Sequence, residues 1–142
     1  KVQVTQQRPL ARVWMPDTVL YLDEMGGTLA LSGRYTADVP VLHAPTMAAA
    51  QSTLPLLRMM DTSPFWDQLI DQIEVQENGA VSFRPRIGDV VVELGPAAQL
   101  EQDLNGRLDR LLNFYKALIQ RGDLRQYRKI SLQYDGQLVA SK

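Results

Sequence analysis

His43 is the only histidine in the chain, and there is no cysteine. These two facts exclude thiolate zinc sites, cysteine nucleophiles, disulfides and multi-histidine metal centres, and they leave one candidate base. His43 lies between Pro40 and Pro45 in sequence that reads as loop or short strand, and no G-x-S-x-G elbow accompanies it to supply a nucleophile. Carboxylates pair as Asp23-Glu24 and as Asp71 with Glu74. Acid–base work needs one member of such a pair buried with a raised pKa, yet both pairs stand in polar, turn-adjacent sequence and read as solvated charge. Gly26-Gly27 lacks the G-x-G-x-x-G or GK[ST] setting of a phosphate cradle. Arg84-Pro85-Arg86 could hold an anion, but it reads more simply as the solvent face of a strand. Phe65-Trp66 reads as an aromatic plug. With no nucleophile set, metal set or cofactor loop, the chain reads as a binding or scaffolding module rather than an enzyme, and no cofactor is expected.

The elements that must carry such a module follow from bulk and pattern. The chain has 142 residues, 45% of them hydrophobic, which suits one domain with a real core. Fifteen Lys and Arg stand against 16 Asp and Glu for a net charge of −1, so the basic surplus of a nucleic-acid binder is missing. No apolar run approaches the roughly 18 residues of a membrane span. The sequence opens at Lys1 without an initiator Met, and it is expected to be a piece of a longer or processed protein.

Val2 and Val4 alternate with Gln3 and Thr5 as a half-buried strand that stops at Pro9. Ala11 to Trp14 and Thr18 to Asp23 read as extended, and Gly26-Gly27 turns the chain into Thr28 to Leu31. Val41 to His43 is a short strand. Residues 47–60 suggest a helix in which Pro55 marks a kink or a second start, and Ser63-Pro64 starts a short helical turn. Ile73 to Gln76, Asn78-Gly79 and Val81 to Arg84 make a hairpin, which Val90 to Leu94 extends into a meander. Residues 97–121 carry Leu100, Leu104, Leu108, Leu111, Leu112, Tyr115, Leu118 and Ile119 at steps of three and four, with Gly106 inside the helix and Gly122 as its stop. Lys129 to Tyr134 alternates again, Asp135-Gly136 turns or bulges, and Gln137 to Ala140 continues extended. The class is α+β, an antiparallel sheet covered by two helices.

The order of these segments resembles the FtsQ/DivIB cell-division family. Arg8-Pro9-Leu10-Ala11-Arg12 is similar to the family's x-P-x-A-R signature, which closes a POTRA domain. Asp23 to Gly27 is similar to its x-D-x-x-G segment with one extra residue, and Val39 to Leu42 to the strand that follows. Gly88 to Gly95 resembles the strand ending in Leu-Gly before the long helix, Leu108 to Leu118 the L-x-x-F/Y helix, and Ile130 to Asp135 the closing I/V-D-L-R-Y strand. Asp61 to Trp66 and Ile130 to Tyr134 look closest to FtsQ of the Bacteroidetes type. Ser131 and Gln133 depart from the family's Asp and Arg. Asn78-Gly79 stands where some relatives carry a partner-contacting arginine, so that contact is not carried over.

The resemblance implies residues 1–8 as the last strand of a POTRA domain and 9–142 as an FtsQ-type β domain. It implies a periplasmic ectodomain of a single-pass inner-membrane protein, with the anchor outside this chain, and a non-enzymatic role binding FtsB-like and FtsL-like partners. Strand addition at a sheet edge fits that role. The residues expected to bind are Ile130, Ser131, Leu132, Gln133, Tyr134, Asp135, Gly136, Gln137, Leu138 and Val139, with Ile130, Leu132 and Tyr134 facing the core and the backbone edge open. Two other readings compete: a POTRA-associated module that binds substrate strands in outer-membrane assembly or secretion, and a small hydrolase using His43 or a carboxylate pair.

Overall fold

A proline can open a strand because the N–H it lacks is not missed at an end. In the computed structural model, which describes residues 8–30, 38–121, 126–134 and 136–142, β1 (Pro9–Trp14) starts at such a proline. The chain returns as β2 (Val19–Asp23), passes Gly26 at φ +87° and enters β3 (Thr28–Leu29). Tyr21 stands opposite Leu29 and Leu22 opposite Thr28, the hairpin that the sequence implies. Leu31, the expected POTRA strand over Val2 to Gln7, and Gly122 lie outside the described residues.

β4 (Val41–His43) leads into three short helices, α1 (Met47–Gln51), α2 (Leu54–Thr62) and α3 (Pro64–Leu69). The Thr46 hydroxyl caps α1 by accepting from the Ala49 N–H at 3.1 Å. Pro55 and Pro64 fall in first turns, where no donor is needed, so Pro55 starts a helix rather than kinking one. β5 (Ile70–Val75), β6 (Ala80–Pro85) and β7 (Val91–Pro96) form the meander. After a 3-10 turn at Ala97–Gln99 come α4 (Leu104–Arg121), β8 (Lys129–Ser131) and β9 (Val139–Ser141).

The strands join one sheet in the order β3-β2-β1-β4-β5-β6-β7-β8-β9. The sheet is mixed, which corrects the antiparallel expectation: β1 with β4, β4 with β5, and β7 with β8 are parallel. A parallel neighbour is reached only by a crossover, usually helical. The helices expected as a cover are those crossovers, α1 to α3 between β4 and β5 and α4 between β7 and β8. Helices with one large sheet remain compatible with the α+β class.

One apolar ladder runs across the sheet. Leu20, Val13, Leu42, Ile73, Phe83, Val92, Ile130 and Ala140 are successive register partners. From Val13 to Ile130 they are buried in one cluster with Leu56, Leu57, Met60, Leu108 and Leu111 of the helices. Each such side chain contributes about 1.5–3 kcal/mol by leaving water. The adjacent ladder, Trp14, His43, Glu74, Ser82 and Glu93, is exposed or half-buried, so that face carries no helix.

The helix expected over 97–121 begins only at Leu104, because Asp103 adopts φ +54°. Leu100 is buried from the turn before it. A Cβ on Gly106 would meet Asp103 Oδ1 at 2.1 Å, so in this first turn the absence of a side chain leaves room for the Asp103 carboxylate, which any larger residue would displace. Leu104, Leu108, Leu111, Tyr115 and Leu118 are buried and Leu112 partly so, whereas Ile119 is exposed, contrary to the stripe. Trp66 is buried, and Phe65 lies edge-on to it at 5.0 Å while remaining half exposed.

Candidate functional site

The polar segment after α4 is placed by its apolar members. Phe114 of α4 and Tyr127 meet edge-on at 5.4 Å, anchoring the approach to β8. Ile130 then occupies the core ladder, and the Leu132 N–H donates to the Glu93 carbonyl at 2.8 Å, extending the pairing with β7 by one bond. Gln133 passes Gly95 so closely that a Cβ there would lie 3.0 Å from the Gln133 Cβ, and Gly95 itself has φ +100°. Beyond it Tyr134 swings out, 53% exposed, and Gly136 at φ +64° helps the chain return as β9.

This geometry moves the expected edge. β8 is bonded to β7 on one side and to β9 on the other, with Ser131 opposite both Glu93 and Val139. Its backbone is therefore not the free one, and among the described residues β9 is the terminal strand. Asp-Gly is a hairpin signal, and read as a fold-back it would have pointed to Ala140 and Ser141, which the sequence reading left out. Side-chain directions differ as well. Ile130 and Leu132 are core residues as expected, but Tyr134 faces solvent. Ser131 is only 6% exposed, and its hydroxyl has no hydrogen-bond partner among the described residues. Gln133, Leu138 and Ala140 are partly buried, Gly136, Gln137 and Val139 exposed, and Asp135 lies outside the described residues. Lys129 Nζ pairs with Glu93 Oε2 at 3.5 Å, and Arg128 with Asp89 at 3.3 Å, at the base of the same hairpin.

The other candidate residues do not converge on this segment. The buried Asp23 carboxylate accepts the N–H groups of Met25 and Gly27 at 2.9 and 2.8 Å, so it shapes the β2–β3 turn. Glu24 meets Arg8 at 3.1 Å, while Arg8 also forks onto Asp61 at 2.5 and 2.6 Å and holds that carboxyl below the usual range. Asp71 pairs with Arg86 at 3.6 Å. His43 and Glu74 are register neighbours on the open face, near Trp14. Among the described residues no helix is long and apolar enough to cross a membrane.

The model of a protein family described as FtsQ/DivIB, C-terminal related, matches residues 8–141. No curated protein matches the chain.

Proposed function

The chain belongs to the FtsQ/DivIB, C-terminal related family and is thereby a divisome-associated protein, and from that premise we propose that it binds FtsB-like and FtsL-like partners by strand addition at β9. The observation that carries this is the position of β9 at the end of the sheet, with Tyr134 and Val139 exposed beside it. A terminal strand presents unpaired N–H and C=O groups that an extended segment can complete, and alternate side chains then set register and specificity. Tyr134 is the exposed aromatic anchor of that edge, of the residue type enriched at interface hot spots.

In this reading the role is binding rather than catalysis. The domain is the periplasmic ectodomain of an inner-membrane protein, and residues 1–8 close a POTRA domain. Capture of the FtsB-like partner's periplasmic segment tests the reading. Tyr134→Ala should weaken capture by roughly 2 kcal/mol or more. Gly136→Pro, which forbids the positive φ that returns the chain to β9, should abolish it, with the circular dichroism spectrum preserved in both. Undiminished capture by both folded variants would place the interface elsewhere.

A further inference from the structure

β1, β4 and β5 are parallel neighbours, so their carboxyl ends lie side by side. From β1 the chain leaves toward β2 on one side, and from β4 it leaves through the helices toward β5 on the other. Outside these strand ends lies a shallow, open hollow of about 470 Å³. Trp14 ends β1 with 47% of its surface exposed, and its ring lies 6.4 Å from that of His43, tilted by 35°. Glu74 of β5 and Glu77 of the β5–β6 turn also line the hollow, and among the described residues no Lys or Arg does.

Glu24, Asp61, Asp71, Asp89, Glu93 and Asp103 each meet a Lys or Arg. Glu74 and Glu77 meet none among the described residues. Several other exposed carboxylates among the described residues also meet none, Asp17, Asp38, Glu101 and Asp109 among them; what sets Glu74 and Glu77 apart is that they share one hollow with an exposed indole. An indole face attracts a cation through its quadrupole, and a guanidinium adds planar stacking and a forked set of donors that match a carboxylate. Met15, partly buried, supplies apolar surface for an aliphatic stem. We infer that this hollow seats an arginine side chain of a partner protein, stacked on Trp14 and hydrogen-bonded to Glu74 and Glu77. It is a second contact, separate from the β9 edge.

The indole N–H resonances of the two tryptophans provide the test, because Trp66 is buried in the core and serves as an internal reference. N-acetyl-argininamide should shift the Trp14 resonance saturably, while the neutral near-isostere N-acetyl-citrullinamide at the same concentration should leave it in place. Glu74→Gln with Glu77→Gln should weaken the arginine effect about tenfold, as expected for loss of charge-assisted pairing, with the Trp66 resonance unmoved. Glu77→Gln alone, on an exposed turn, should weaken it in the same direction. Equal shifts from both probes, no saturable shift, or undiminished binding by the double variant would each overturn the assignment.

Discussion

Gly95 shows how a single residue sets the β8–β9 hairpin. It combines φ +100° with a 3.0 Å approach to the Gln133 Cβ, so any side chain there both strains the backbone and pushes the β8 segment away. Gly95→Ala should cost about 1–3 kcal/mol in chemical denaturation and weaken partner capture as well. Gly136 also has a positive φ, but an added Cβ would meet nothing within 4 Å. Gly136→Ala should therefore cost only the left-handed strain, about 1–2 kcal/mol. Equal costs at the two positions would mean that the Gln133 contact contributes nothing. Leu94-Gly95 was visible in the sequence as a family-like motif, but its reason was not, since the atom it must avoid lies 38 residues away. Tyr134 misled for a related reason: strict alternation put it in the core with Ile130 and Leu132, whereas regular pairing ends at Ser131 and frees its direction.

At the scale of elements, α4 was legible because a buried stripe on a long helix repeats locally. Leu111, fully buried, should lose about 2–5 kcal/mol on substitution by Ala, and exposed Ile119 should change by no more than about 0.5 kcal/mol. Similar thermal shifts for the two would contradict the observed facing of the helix. The helix start was not legible, because Asp103 at φ +54° and its carboxylate against Gly106 are matters of conformation rather than composition. Burial also pushes the Tyr115 phenol from its ordinary 10.0 up to about 12. Above pH 10 the unfolded phenol ionises before the folded one, so this contribution is fully present below pH 10 and is lost as pH rises toward 12. Tyr115→Phe should remove that part of the alkaline slope, together with a late ultraviolet titration step near pH 12. An ultraviolet titration in which Tyr115→Phe removes only an ordinary step near pH 10 would contradict its burial.

Across the whole molecule, a single apolar cluster runs from Leu10 to Leu132, so tryptophan fluorescence and far-ultraviolet dichroism should report one coincident unfolding transition. Two separated transitions would divide the core. The hairpins that build half of this sheet were readable from Gly26-Gly27 and Asn78-Gly79, because an antiparallel return is made within a few residues. The three parallel pairings were not, since a crossover joins strands whose register leaves no local mark. That gap left β8 as the expected sheet edge where the described sheet ends in β9, because seeing β8 as an inner strand requires knowing both of its neighbours. The central claim is that β9 accepts the partner's strand, and amide hydrogen exchange with and without the FtsB-like partner's extended segment tests it most directly. The prediction is slowed exchange at Val139 to Ser141, with β3 at the opposite end of the sheet unchanged. Protection at β3 or on the helices, with Val139 to Ser141 exchanging as fast as in the free protein, would contradict it.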